Sequence, residues 1–452
     1  MTDVAPLIEH STRPASEPST PASLAAALAA ELAPARAHTL ELVAPLSTAD
    51  LHEQHDPLMS PIIWDLGHIA HFEELWLTRN LDGPIEFVEM PGLYNPFEHP
   101  RRERGTLALP GLAEVRRAME AIRGRVLERL ARADFSRGPA LLTGGYVYRM
   151  VLQHEYQHCE TILQTLQLKR GAPYAPASRC RLPAGSPPAP EGAMVRVPGG
   201  EIAIGTDDHT AAYDNERPRH PVALEPYWMD VTPVTNGAYL AFIDAGGYRR
   251  REWWSDAGWR WLTGAAVSAP KHWESSHGEW TTRTMDLVRP LDPARPVCHV
   301  SYWEAEAYAR FAGKRLPTES EWEAAAAWDP ASGTVRPYPW GDEPPTPEHA
   351  NLGQRAFDTA PVGAYPRGRS AVGCYGMLGD VWEWTSSDFT GYPGFASWPY
   401  REYSEVFFGG EYKVLRGGSW ATQPGAVRNT FRNWDYPIRR QIFSGFRCAR
   451  DA

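Results

Sequence analysis

With 452 residues, 43% of them apolar and 22% charged, the chain has the composition of a soluble globular protein and exceeds one ordinary core. A formal net charge of −10 argues against nucleic acid or an anionic membrane as partner, since either requires a basic face. The five cysteines (Cys159, Cys180, Cys298, Cys374 and Cys448) are scattered, with no CxxC and no disulfide framework, residues 1–20 lack the pattern of a signal peptide, and the longest small-apolar run, Ala22–Ala30, is too short for a bilayer. The expectation is a cytoplasmic protein of two domains.

Residues 1–20, rich in Pro, Ser, Thr and charge, are expected to be disordered. Residues 21–172 then read as mostly helical. The first helix covers Ser23–Val43, and Ser47-Thr-Ala-Asp resembles a cap for the next turn. A second covers Pro61–Leu81. A third, Leu112–Ala133, places Val115, Met119, Ile122, Val126 and Leu130 on one stripe, and a fourth covers Gly144–Arg170. Four such helices make an antiparallel bundle, a fold that builds metal sites from inward-facing side chains of different helices.

The fourth helix contains Arg149-Met-Val-Leu-Gln-His-Glu-Tyr-Gln-His-Cys-Glu160. His154 and His158 are four apart, so they project from one face and suit a single metal ion. His68, in Trp64-Asp-Leu-Gly-His-Ile-Ala-His-Phe-Glu-Glu-Leu-Trp76, is a third candidate that a bundle brings opposite the pair; His71 competes with it on the same helix. Glu160 points elsewhere on the helix and reads as a residue that orients neighbours rather than a ligand. Cys159 reads as a packed thiol. Between the second and third helices, the loop from Met90 to Gly105 concentrates Arg101, Arg102 and Arg104. It is either a solvated basic patch or a clamp for carboxylates, which guanidinium forks bind bidentately.

Residues 173–192 are Pro/Ala-rich and read as an interdomain linker. In residues 193–452 the style changes. Met194-Val-Arg-Val-Pro-Gly-Gly-Glu-Ile-Ala-Ile-Gly205 is a strand, a Pro-Gly-Gly turn and a second strand. Gly-Trp motifs then punctuate long irregular stretches, which suggests a loop-rich fold pinned by aromatic anchors. Helices are expected at Thr235–Asp244 and at Trp303–Phe311, the latter continuing at Glu319–Trp328. The motifs share no period, so no repeat architecture is expected.

Residues 193–450 resemble the formylglycine-generating-enzyme (sulfatase-modifying factor) fold, a C-type-lectin-like α+β architecture. The strings are Val197-Pro-Gly-Gly, Asp214-Asn-Glu-Arg-Pro, Pro233-Val-Thr-Asn236, Leu316-Pro-Thr-Glu-Ser-Glu-Trp322, Gly379-Asp-Val-Trp-Glu-Trp384 and Leu415-Arg-Gly-Gly-Ser-Trp420. Formylglycine-generating enzymes use cysteines after the last string, where this chain reads Ala421-Thr-Gln-Pro-Gly; that departure argues against formylglycine generation. The first domain resembles the DinB-like four-helix bundle, a family of three-His metal proteins, through Trp64-Asp-Leu-Gly-His68 and His154-x-x-x-His158-x-Glu160. This order of domains, a multidomain α and α+β chain, resembles the hercynine oxygenase family, the sulfoxide synthases of ergothioneine biosynthesis; Arg432-Asn-Trp-Asp-Tyr-Pro-Ile-Arg-Arg-Gln441 also resembles that family.

The resemblance implies a non-haem Fe(II) held by His68, His154 and His158, with hercynine, γ-glutamylcysteine and O₂ as the small-molecule substrates. It implies that Arg101, Arg104, Asp435 and Arg439 contact the thiol substrate, and that Gln157, Tyr403, Asn433 and Trp434 surround hercynine. Tyr400 would be the proton donor near the iron, with Tyr392 as a competitor. Three neutral imidazoles leave the iron open positions for both substrates and O₂. The alternatives are a DinB-like metal-dependent thiol transferase or isomerase, the same synthase using free cysteine, and a lectin-like binding module with a structural metal.

Overall fold

The computed structural model describes residues 21–82, 92–185 and 190–452. The expected disorder of residues 1–20, and Met90 and Pro91 of the arginine loop, lie outside the described residues. The bundle is built from α1 (Pro21–Val43), α2 (Thr48–His52), α3 (Ile62–Glu74), α4 (Asn80–Asp82), α5 (Leu112–Leu130) and α6 (Tyr146–Gln167), with a π-helical turn, Leu75–Arg79, joining α3 to α4. The cap before α2 forms: Ser47 Oγ accepts from the Asp50 amide and the Asp50 carboxylate accepts from the Ser47 amide.

Each of the four long helices contributes one buried charge to a closed quartet. Arg36 of α1 and Arg123 of α5 alternate with Glu73 of α3 and Glu155 of α6, the Arg36 contacts being 2.6 and 2.8 Å and those of Arg123 2.5 and 3.2 Å. Every guanidinium meets two carboxylates, so neither sign is left uncompensated in the core. The quartet fixes α6 against α3, the two helices that carry the histidines.

The second domain alternates short strands with four helices, α7 (Asn236–Asp244), α8 (Asp256–Ala265), α9 (Tyr302–Phe311) and α10 (Glu319–Ala327). The first strands are β1 (Met194–Val197), β2 (Gly200–Ile204), β3 (His220–Leu224) and β4 (Tyr227–Asp230). β1 and β2 form where expected but do not pair with each other: β1 pairs with β4 and β2 with β3, both antiparallel. The Pro-Gly-Gly turn sends its strands into different sheets. A Cβ on Gly199 would lie 2.5 Å from the Leu224 carbonyl, so the turn packs directly on the β3–β4 connection.

A meander, β5 (Trp273–Ser276), β6 (Glu279–Thr284) and β7 (Leu287–Pro290), was not expected from the sequence, and neither was α8. The expected continuation of α9 into Glu319–Trp328 is instead a break. The chain turns at Gly313 (φ +67°), and α10 starts anew with a capping box between Thr318 and Glu321. After a two-residue ladder, β8 (Trp328–Asp329) with β9 (Thr334–Val335), come β10 (Trp382–Phe389), β11 (Gly409–Arg416), β12 (Arg432–Asp435), β13 (Ser444–Gly445) and β14 (Ala449–Asp451). Their main sheet runs β12-β11-β10-β13, so β12 lies at its edge.

The two halves share one continuous cluster of buried apolar side chains. The connecting segment takes part in it: Tyr174 is buried with its hydroxyl donating to the Leu42 carbonyl (3.0 Å), and the Cys180 amide donates to Arg355 O (2.7 Å). Among the described residues no helix is long and apolar enough to cross a membrane. All five cysteines are free thiols.

Candidate metal centre and substrate cavity

α3 and α6 face each other with His68 on one and His154 and His158 on the other. One ring nitrogen of each lies within 4.8 Å of the other two, and the ring centroids are 4.5 to 5.1 Å apart. Two rings are oriented from behind. His68 Nδ1 lies 2.8 Å from the Tyr94 carbonyl, which accepts only, so the proton sits on Nδ1 and the lone pair on Nε2. His158 Nδ1 lies 3.2 Å from Asp65 Oδ1, a buried carboxylate. The third ring, His154, lies flat on Phe72 at 3.7 Å between centroids. Behind His68 stands a stack: Trp64 parallel to the imidazole at 4.8 Å, then the Arg104 guanidinium 3.6 Å from the indole centroid.

These residues suit a divalent metal. Burial, then the neighbouring His158, holds the His68 and His154 imidazoles well below their ordinary pKa, so they keep their lone pairs at neutral pH. Asp65 Oδ2 is buried and has no hydrogen-bond partner among the described residues, which leaves acceptor capacity unused behind His158. A carboxylate behind a ligating imidazole raises the basicity of the ring and offsets the charge of a bound cation. Asp65 sits one helical turn ahead of His68 in the string already singled out, and that spacing could have found it.

His71 is not part of this group; its ring lies 6.1 Å from that of Tyr94, away from the three nitrogens. Glu160 does orient neighbours, but across the domain seam rather than at the histidines. Its buried carboxylate accepts from Trp382 Nε1 (2.7 Å), Ser419 Oγ (2.8 Å) and Thr422 Oγ1 (2.7 Å). Three donors from the Gly-Asp-Val-Trp and Arg-Gly-Gly-Ser-Trp regions thus converge on one helical residue of the bundle. The stretch Ala421–Gly425, where formylglycine-generating relatives would carry cysteines, is covered by the same helix: a Cβ on Gly425 would meet the Tyr156 ring at 3.1 Å. Cys159 is a packed thiol, buried against Thr39 Oγ1 at 3.2 Å and pushed up to about 12 by burial.

In front of the histidines opens a cavity of about 830 Å³ between the bundle and β12, and every expected site residue lines it. Gln157 Nε2 donates to the Tyr403 hydroxyl at 3.0 Å. The Tyr403 ring stands perpendicular to Trp434 (5.9 Å), which stacks on Phe389 (4.0 Å). Asn433, Trp434 and Asp435 come from edge strand β12. Tyr400 is buried beside Trp76 (5.0 Å) and Phe72 (6.5 Å), and burial raises its pKa well above the usual phenol range. Tyr392, the competitor, is elsewhere, within a buried network with Arg416 and Arg432.

The charged residues divide. Asp435 and Arg439, four residues apart, form an ion pair (Nε–Oδ1 3.3 Å) from a strand end and turn. Burial raises the Asp435 pKa, with Arg439 and Arg101 pulling the other way. Nε and Nη1 of Arg439 are buried and complete no hydrogen bond among the described residues. Arg101 is exposed, with Nη1 donating to Leu58 O at 3.3 Å. Arg104 is not the open clamp that the sequence suggested. It is buried, donates to His99 O (2.8 Å) and Ser60 Oγ (2.7 Å), and burial lowers its pKa to about 10. Tyr412 and Tyr436, joined by a 2.8 Å hydroxyl–hydroxyl bond on the same wall, were not foreseen: Tyr412 lies outside any motif, and Tyr436, though inside the Arg432–Gln441 string, was given no role there.

Comparison with known proteins adds the following. Residues 31–162 match the DinB superfamily and residues 181–452 match the Sulfatase-modifying factor enzyme 1-like domain. The chain is 48% identical over 429 residues to a hercynine oxygenase of Mycolicibacterium thermoresistibile, covering 93% of this chain and 94% of that one. It is 49% identical over 427 residues to a hercynine oxygenase of Mycobacterium tuberculosis, covering 93% and 97%. A formylglycine-generating enzyme of Streptomyces coelicolor is 36% identical over 310 residues, 60% of this chain and 92% of that one.

Proposed function

Because the chain belongs to the hercynine oxygenase family, we propose that it is the sulfoxide synthase of ergothioneine biosynthesis, joining hercynine to γ-glutamylcysteine. The balance is hercynine plus thiol plus O₂ giving the sulfoxide conjugate plus water: a carbon–sulfur bond forms at the imidazole ring, one oxygen atom stays on sulfur, and the other leaves with the ring and thiol hydrogens. The observation that carries the reading beyond family membership is the convergence of His68, His154 and His158 at the floor of a cavity wide enough for two substrates.

In this reading His68, His154 and His158 hold a non-haem Fe(II), which when bound supplies the redox chemistry that couples O₂ reduction to sulfur oxidation. Tyr94 and Asp65 keep two of the imidazoles aimed. Tyr403 and Trp434 offer ring faces to the trimethylammonium group of hercynine, while Gln157 and Asn433 offer amides to its polar atoms. Arg439 and Arg101 take the carboxylates of the thiol substrate, Asp435 holds Arg439 in place, and Arg104 adds positive charge while it fixes the loop. Two available guanidiniums suit the two carboxylates of γ-glutamylcysteine better than the single one of cysteine. Tyr400, kept protonated by its burial and lining the same cavity, holds and releases the proton at its Oη in this reading.

The test is an aerobic assay of Fe(II)-loaded protein with hercynine and γ-glutamylcysteine, read by mass spectrometry. The expected result is a sulfoxide conjugate that is absent without O₂. No conjugate with γ-glutamylcysteine or cysteine, from protein that holds iron, would overturn the reading in favour of an O₂-independent thiol transferase. Tyr400→Phe is expected to change rate and product ratio; unchanged values for both would remove the proton role from that residue.

A further inference from the structure

Immediately before His68, helix α3 carries no side chain. A Cβ built on Gly67 would fall 2.1, 2.2 and 2.4 Å from Cζ, Cε1 and Oη of Tyr94. The tip of the Tyr94 ring therefore fills the space that any other residue would occupy. Tyr94 is also the residue whose carbonyl accepts from His68 Nδ1 at 2.8 Å, and the carbonyl of Leu93 before it accepts from Trp64 Nε1 at 2.9 Å. One turn of α3 thus grips Leu93–Tyr94 three times: by the indole of Trp64, by the bare backbone of Gly67 and by the imidazole of His68. Glycine inside a helix costs about 1 kcal/mol relative to alanine. Gly67 has helical backbone angles and does not need glycine for its own conformation. The seat for Tyr94 accounts for that cost.

We propose that Gly67 and Tyr94 are a positioning pair for His68. The ring of Tyr94 seats on Gly67 and so holds the Tyr94 carbonyl where it accepts from His68 Nδ1–H and leaves Nε2 for the metal. This rests on the reading of the three histidines as metal ligands. It has a further consequence: the loop that bears Arg101 and Arg104 on the cavity wall is anchored, at its start, to a metal ligand.

The experiment is a Co(II) titration of the full chain in competition with a chromophoric chelator, with the visible spectrum of the bound Co(II) recorded alongside. The variants are Gly67→Ala, Tyr94→Ala and the double substitution. Helix propensity alone predicts that Gly67→Ala is harmless or stabilising. The positioning role predicts a loss of Co(II) affinity of about tenfold or more, in the range for removing the partner behind a ligating histidine, with an altered spectrum. In the Tyr94→Ala background the same substitution should cost little further, because no ring remains to be displaced. Wild-type affinity in Gly67→Ala, or an equal loss with and without the Tyr94 ring, overturns the proposal. Should the wild-type chain show no Co(II) binding that His154→Ala abolishes, the metal reading itself fails, and the role of the pair with it.

Discussion

The two walls of the cavity are built on opposite plans. On the bundle side the partners of the imidazoles are already in place: His68 on the Tyr94 carbonyl, His158 on Asp65, His154 flat on Phe72, and the helices beneath tied by a closed quartet of charges. On the β12 side the polar groups are only half satisfied, since Arg439 keeps Nη1 buried without a hydrogen bond among the described residues and its Nε has only the ion pair to Asp435. A wall whose partners are supplied by the protein is preorganised for an ion that needs fixed geometry. One whose partners are missing gains them from a substrate, and so spends binding energy on orientation. The difference teaches that metal affinity and substrate affinity should be separable by mutation.

The largest effect is expected from His154→Ala. Loss of one of the three proposed ligands should lower metal affinity by well over the roughly 10–100-fold typical of a residue behind a ligand, and abolish the conjugate; chelator competition and mass spectrometry check both. Next is Asp65→Ala, which leaves all three ligands in place. It should cost about 10–100-fold in metal affinity with little change in the Km values of metal-saturated enzyme. If saturation with metal leaves the thiol Km raised as well, the two walls are not independent and the comparison breaks.

Arg439→Ala probes the other wall. Charge-assisted hydrogen bonds contribute about 1.5–3 kcal/mol each, so kcat/Km for γ-glutamylcysteine should fall roughly tenfold or more while metal affinity stays at the wild-type value. A free-cysteine control sharpens the assignment. If both thiols lose equally, Arg439 holds a group they share; if only γ-glutamylcysteine suffers, it reads the glutamyl arm.

The same division explains what the sequence made legible. The histidines were readable because an i, i+4 pair and a short motif are local patterns with one geometric meaning, and the four bundle helices followed from apolar periodicity. Arg101 and Arg104 look alike in sequence, yet one is exposed and the other is spent on His99 and Ser60; only tertiary neighbours distinguish them. Glu160 was readable as a non-ligand, but not as a clip for Trp382, Ser419 and Thr422, which are more than 200 residues away. Strand pairing was not legible for the same reason: β1 and β2 were visible locally, while their partners are set by where β3 and β4 return. Helix α8 was hidden because its tryptophans resembled the loop anchors around them.

The smallest expected effect is also the most discriminating. Tyr403→Phe keeps the ring that faces Trp434 and stacks on Tyr213 at 4.2 Å, and removes only the hydroxyl that accepts from Gln157. A neutral hydrogen bond contributes about 1 kcal/mol, so the Km for hercynine should rise roughly fivefold, with the thiol Km and metal affinity untouched. Tyr403→Ala should cost more, since it also removes the aromatic face offered to the trimethylammonium group, for which cation–π contacts contribute about 0.5–2 kcal/mol. If Phe and Ala at this position behave alike, the ring contributes no cation–π contact, and hercynine is held by the amides of Gln157 and Asn433. If instead the thiol Km moves with either variant, Tyr403 belongs to the same half of the cavity as Arg439, and hercynine must lie on the side of the bundle.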